Sequence, residues 1–301
     1  MTHQDFGPCQ TRAGMVRAAV AEAAAGAVPA AVAEAAAGAA PEAGAVVAEA
    51  ASFLVANVGM PVHLSDVADH VGYSPFYLAH CFTHHLGMPP GRFLASHRFQ
   101  RAKELLLRGD ERVVDVCFAA GFSSLGTFTT AFNKFVGSTP TEFRRLPHTL
   151  AASPPQPVLV PGPRPGGGVL NGTVRLSPAA AQALGNAPSI YVGLFPQRAA
   201  RGLPVSGALL AGPGAFRLAD LAPGTYFLLA SGLASRADFH EQLLPSLSVV
   251  GAATQPVVVS ATATLHRRDV YIDTTPAWAA PVLVALPMLA CPTAQDWRSR
   301  R

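Results

Sequence analysis

The sequence predicts a multidomain chain, an all-α paired helix-turn-helix domain followed by an all-β antiparallel sandwich, on three observations. A helix-turn-helix unit occurs twice within residues 46–147, a Pro- and Gly-rich stretch follows at 148–168, and the apolar pattern then changes from helical to strand-like. The 301 residues suffice for two or three small cores. Hydrophobic residues make up 50% and charged residues 13%, which excludes a charge-rich disordered chain.

Residues 1–45 are expected to form an alanine-rich flexible arm. They hold an imperfect duplication, Ala19 to Pro29 and Ala31 to Pro41, each copy a short helix former closed by Gly and Pro. Two copies without large apolar residues cannot stack into a core.

The duplication in residues 46–147 has more content. Its first copy runs from Val67 to Phe82 and on to Gly87, Pro90 and Phe93; the second runs from Val116 to Phe132 and on to Gly137, Pro140 and Phe143. Gly72 and Ser74-Pro75 punctuate the first unit as a left-handed helix end, an N-cap and a favoured first-turn proline. Gly121 and Ser124 repeat the first two roles, and Thr139-Pro140-Thr141-Glu142 reads as a capping box opening a last helix. Between the units, Pro89 to Arg108 predicts one long helix, with Phe93, Leu94, His97, Ala102, Leu105 and Leu106 on an apolar face and Arg92, Arg98, Arg101, Lys103 and Arg108 on other faces. A fixed separation of this kind suits two major-groove segments on one side of a duplex, ~34 Å apart. Phe82, Phe93, Phe122, Phe128, Phe132 and Phe135 are expected in the core, and Cys81 and Cys117 as inert buried thiols. His80 and His84 have metal-ligand spacing but lack a matching carboxylate or thiolate, so no metal and no cofactor are expected.

These residues resemble the DNA-binding domain of AraC/XylS-type transcription regulators, over about residues 46–147. The resemblance is carried by Leu64-Ser-Asp-Val-Ala, Gly72-Tyr-Ser, Arg98-Phe-Gln-Arg-Ala-Lys-Glu-Leu-Leu-Leu107, Val116 to Gly121-Phe-Ser, and Phe132-Asn-Lys-Phe-Val-Gly-Ser-Thr-Pro-Thr-Glu-Phe-Arg144. It implies two recognition helices. Phe76, Ala79 and His80 take base-facing places on the first, and Leu125, Gly126, Thr127 and Thr130 on the second. Arg92, Arg98, Arg101, Lys134, Arg144 and Arg145 become candidate phosphate contacts, which set register without reading sequence. Several places where Arg, Gln or Asn would be expected hold other residues here.

Charge alone would not suggest a nucleic-acid protein. The net charge is +4, and residues 46–147 hold 9 basic and 8 acidic side chains with six of the ten histidines, against 11 basic and 6 acidic in residues 148–301.

Residues 148–168 are expected as an extended spacer. The sandwich is expected over 169–292, with strands at Val169–Leu176, Ser189–Phe195, Pro204–Leu210, Ala215–Leu218, Thr225–Ala230, Leu247–Val250, Pro256–Val259 and Arg268–Ile272, and a basic tail at 293–301. Residues 177–186 and 233–244 read as short helices or loops. Gly214-Ala-Phe-Arg-Leu to Leu221-Ala-Pro-Gly-Thr-Tyr226 reads as a hairpin and resembles the pattern of transthyretin-like or carboxypeptidase-regulatory-like sandwiches. Ser189, Tyr191, Tyr226 and Tyr271 are candidate pocket residues, with core packing the plainer role. His240-Glu241 and His266 have no nucleophile or ligand cluster beside them, so no catalytic residues are expected and the chain is not expected to be an enzyme.

The four cysteines, Cys9, Cys81, Cys117 and Cys291, have no framework or zinc spacing. The N-terminus lacks a basic signal-peptide region, and the uncharged run Thr274 to Gln295 holds four prolines, which disfavours a membrane helix. A cytoplasmic transcription factor is therefore expected, with double-stranded DNA as partner and no membrane. RNA polymerase, a small-molecule effector and a second copy of the chain are further candidate partners. The competing reading is a DNA-tethered enzyme or carbohydrate-binding protein whose main activity lies in the sandwich.

Overall fold

In the computed structural model, the described residues are 40–152, 158–198, 200, 202–234, 238–244, 249–261, 265–276 and 278–287. The alanine-rich duplication up to residue 39 and the basic tail lie outside them. The chain divides into two compact units, residues 40–57 with 61–94, and 58–60 with 95–287.

The first unit holds α1 (Ala40–Ala56), α2 (Leu64–Val71), α3 (Pro75–Leu86) and the start of α4 (Pro90–Arg108). Residues expected as arm from Ala40 onward are therefore helix. The caps follow the local sequence. The His63 N–H donates to Asp66 Oδ2 at 2.8 Å, and Gly72 ends α2 at φ 73°. Ser74 Oγ accepts from the Tyr77 N–H at 3.3 Å, with Pro75 at the first helical place, and Gly87 ends α3 at φ 68°. Val47, Ala50, Ala51, Leu54, Val67, Ala68, Leu78, Phe82 and Phe93 are buried, with Phe82 and Phe93 packed edge to face at 5.2 Å.

The second unit holds the rest of α4, α5 (Val113–Ala119), α6 (Leu125–Val136) and α7 (Pro140–Ala152). Here too the expected caps are present. Ser124 Oγ accepts from the Thr127 N–H at 3.4 Å, and the Thr139 N–H donates to Glu142 Oε2 at 2.9 Å while the Glu142 N–H donates to Thr139 Oγ1 at 3.2 Å. Gly121 turns between α5 and α6 at φ 91°. A Cβ there would lie 2.9 Å from both Arg98 Nε and the Val58 carbonyl oxygen, so both the angle and the close approach require glycine. Phe99, Phe128, Phe132 and Phe143 fill the core with Val116 and Cys117.

One helix residue corrects the sequence reading. Lys103, expected on an outer face of α4, is fully buried. Its Nζ donates to Gln100 Oε1 and to the Val282 carbonyl oxygen, both at 3.4 Å, and lies 5.7 Å from the centre of the Phe143 ring. Burial pushes the ammonium down to about 7, with nearby Glu104 opposing.

The same unit contains a ten-stranded sheet: β1 (Val158–Val160), β2 (Gly168–Leu176), β3 (Ser189–Phe195), β4 (Ser206–Leu210), β5 (Gly214–Leu221), β6 (Gly224–Leu233), β7 (Val249–Ala252), β8 (Val257–Val259), β9 (Leu265–Arg267) and β10 (Val270–Thr274). Helices α8 (Pro178–Leu184) and α9 (Phe239–Leu243) occupy the two stretches read as short helices or loops. The stretch expected as a spacer holds the end of α7, which continues through Pro147 to Ala152, and β1, which pairs with β4.

The antiparallel sandwich is not confirmed. The pairing order is β1-β4-β3-β6-β7-β10-β2-β5, with β8 on β6 and β9 on β2, and β2 runs parallel to both β10 and β9. Strand β10 pairs with β7 through Asp273 and Thr274 and with β2 through Val270 to Ile272, so a single mixed sheet curls around its own core. The expected hairpin is also absent. Across the Pro223-Gly224 turn, β5 pairs with β2 while β6 pairs with β3, β7 and β8. Phe216, Leu218 and Leu221 on β5 and Tyr226, Leu228 and Ala230 on β6 enter one core. The two strands thus share a core and not a backbone ladder.

An irregular segment, residues 282–286, joins this sheet to the helices. Leu283 and Ala285 enter the core of α4 to α7, whereas Val284 and Leu286 cover Tyr191, Phe195, Leu209 and Leu233 on the outside of the sheet.

Candidate nucleic-acid interface

In each helix-turn-helix the second helix keeps one apolar stripe inward and leaves the other side of its N-terminal half outward. On α3, Leu78, Cys81 and Phe82 are buried, while Phe76 is 61% exposed, His80 is exposed and Ala79 is half-buried. Tyr73, in the turn before it, is also exposed and stacks on Tyr77 at 5.0 Å. On α6, Phe128, Phe132 and Val136 are buried, and Leu125, Gly126, Thr127 and Thr130 are exposed. All seven candidate base-facing residues therefore reach the surface to some degree. Tyr73 was missed, although it stands directly before the Ser74 cap that opens the helix.

The six candidate phosphate contacts separate into two groups. Arg92, Arg101, Lys134 and Arg145 are exposed. Arg98 instead donates from Nε to the Val58 carbonyl at 3.0 Å and from a terminal nitrogen to the Met60 carbonyl at 2.8 Å, and burial lowers its pKa. Arg144 donates to the carbonyls of Leu106 (3.3 Å) and Glu111. These two guanidinium groups close loops by satisfying carbonyl oxygens that helix ends and turns leave open. A sequence places an arginine on a helix but does not tell a phosphate ligand from a loop clasp.

Helix α6 is held at both ends. Its N-terminus carries the Ser124 cap and the exposed face. At its C-terminus the Phe135 carbonyl accepts from the Gly202 N–H at 3.0 Å and the Val136 carbonyl from the Ala285 N–H at 3.1 Å. Gly202 stands at φ 64°, and a Cβ there would lie 2.7 Å from the Lys134 carbonyl oxygen. Loops of the sheet region thus satisfy carbonyls that the last turn of a helix cannot bond internally. This was not foreseen from the sequence.

Among the described residues no cluster of His, Cys, Asp or Glu could hold a metal ion, and no helix is long and apolar enough to cross a membrane. Cys81 and Cys117 are buried, and burial raises the Cys117 thiol pKa, which suppresses the thiolate. His97 is pushed down to about 4 by burial, against a backbone hydrogen bond with Trp278 that raises it.

Residues 67–146 match a family described as a helix-turn-helix domain. Over 100 residues the chain is 27% identical to the melibiose operon regulatory protein of Escherichia coli K12, covering 33% of each protein. Over 98 residues it is 29% identical to the HTH-type transcriptional regulator ArgR of Pseudomonas aeruginosa, covering 33% of this chain and 30% of that protein. The chain therefore spans about a third of the length of these curated relatives. A transcriptional regulator with an AraC-type DNA-binding domain from Chromobacterium violaceum aligns at 32% identity and a TM-score of 0.32, over 36% of this chain and 93% of that one.

Proposed function

We propose, from a chain whose residues 67–146 are a helix-turn-helix domain of the AraC/XylS type, that the whole protein is a sequence-specific transcription regulator. Its helices α3 and α6 read two adjacent major-groove segments of a duplex. The observation that carries this reading is the repeated surface. Two helices with the same caps each bury an aromatic or aliphatic stripe and each leave their first two turns open. Base edges are read by His80, Thr127 and Thr130 through hydrogen bonds, and by Phe76 and Leu125 against thymine methyl groups. Arg92, Arg101, Lys134 and Arg145 hold phosphates.

The sheet region senses an effector or brings two copies together. Its attachment at the C-terminus of α6 supports this role, because any shift there acts on a helix that reads bases. Contact with RNA polymerase belongs to the same reading.

Titration of the full chain against labelled duplex from its own upstream region, across a series of salt concentrations, tests the proposal. Binding is expected at low salt, with log K falling linearly in log salt and with a slope of about 0.9 for each phosphate neutralised. Failure to bind duplex at ~50 mM salt would overturn it.

A further inference from the structure

The outward face of β2, β5, β9 and β10 carries a set of cations that the helix-turn-helix reading leaves unused. Along β2 the residues Leu170, Gly172 and Val174 point into the core, so Asn171, Thr173 and Arg175 point outward. Asn171 stands opposite Arg217 of β5 on one side and Arg267 of β9 on the other, and Arg175 stands opposite Tyr271 of β10. All three arginines are exposed, and Tyr271 is 56% exposed. Arg217 and Arg267 lie two strand spacings apart, ~10 Å, and Arg175 lies ~13 Å along the strand from Asn171.

Among the described residues none of these arginines forms an ion pair. The nearby carboxylates are already engaged. Asp269 accepts from the Thr173 N–H, and Asp273 accepts from Ser177 Oγ and the Thr274 N–H.

We propose that this sheet face is a second contact with duplex DNA, in which Arg175, Arg217 and Arg267 bind backbone phosphates and Asn171, Thr173 and Tyr271 support them. The inference rests on the DNA-binding reading above. Cations this far apart on an open face do not converge on one small anion; a chain of repeated anions matches them. Arg with interleaved Asn, Thr and Tyr is the side-chain set that contacts phosphate and sugar.

The test uses the full chain and a mixed-sequence duplex of about four helical turns, because phosphate contacts act whatever the sequence. Substituting Arg175→Ala, Arg217→Ala and Arg267→Ala together is expected to reduce the salt slope by about 2 to 3 and to weaken binding at 0.1 M salt about tenfold or more. The corresponding Arg→Lys triple variant should keep the slope. Independently of any variant, phenylglyoxal modification of Arg175, Arg217 and Arg267 in the unsubstituted chain should be slowed by added duplex. An unchanged slope in the alanine variant, or equal modification with and without duplex, overturns this surface alone and turns attention to an acidic protein partner. Absence of any binding by the unsubstituted chain overturns the DNA reading and this surface with it.

Discussion

Substituting Leu283→Asp is expected to detach the segment at 282–286 from the helical core and to make Lys103 reactive. Leu283 is 4% exposed among the side chains of α4 to α7, and the neighbouring Val282 carbonyl covers the Lys103 ammonium. A carboxylate at that place has no buried cationic partner other than a lysine whose charged form burial disfavours, so the local cost is on the order of 3 to 5 kcal/mol. Loss of the segment also removes the Ala285 donor from the Val136 carbonyl at the end of α6. The measurement is acetylation of lysines by acetic anhydride in the folded protein, read by mass spectrometry. Lys103 should be protected in the unsubstituted chain and modified at the rate of Lys134 in the variant, with a lower midpoint of unfolding. Equal protection of Lys103 in both proteins would show that the segment does not hold the helices.

The second large effect is a pH dependence centred on the same lysine. An unfolded chain keeps its lysine proton up to the ordinary value of 10.5, whereas the folded chain releases it at about 7. Between those values the unfolded state binds more protons, so stability rises as pH rises from about 7 to about 10.5. Below about 7 both states hold the proton, and the folded protein bears the full cost of the buried charge, on the order of 5 kcal/mol. Lys103→Met keeps the volume and removes the charge. It is therefore expected to stabilise the protein by several kcal/mol near pH 6 to 7 and by little near pH 10. Denaturant unfolding at the two pH values checks this, and parallel stability profiles for variant and unsubstituted chain would contradict it.

What was legible in the sequence was local. The caps at Ser74, Ser124 and Thr139 and the left-handed glycines Gly72 and Gly121 are decided by residues within one turn of each other, and all stand where the spacing placed them. The strand Ser189–Phe195 was likewise readable from its own composition. Partner choice was not. The alternation of Phe216 and Leu218, and of Tyr226 and Leu228, is the same whether two strands share a ladder or face each other across a core, so a hairpin was expected where a corner stands. Parallel pairing of β10 with β2 joins residues about a hundred positions apart, and nothing in either strand alone announces it. The segment at 282–286 is short, irregular and proline-flanked; its role appears only when both surfaces it covers are known. Lys103 was misplaced for the same reason, because its cover comes from 179 residues away. Arg98 and Arg144 kept their positions on the helices but turned out to hold backbone carbonyls.

The central claim is that two helices of one chain read two adjacent segments of a duplex, and hydroxyl-radical and methylation footprinting of the full chain on its upstream DNA tests it most directly. The account predicts two protected major-groove segments on one side of the duplex, about one helical turn apart. It also predicts that His80→Ala weakens protection at one of them and Thr127→Ala at the other. A single protected segment, or two segments that both variants leave unchanged, would contradict it.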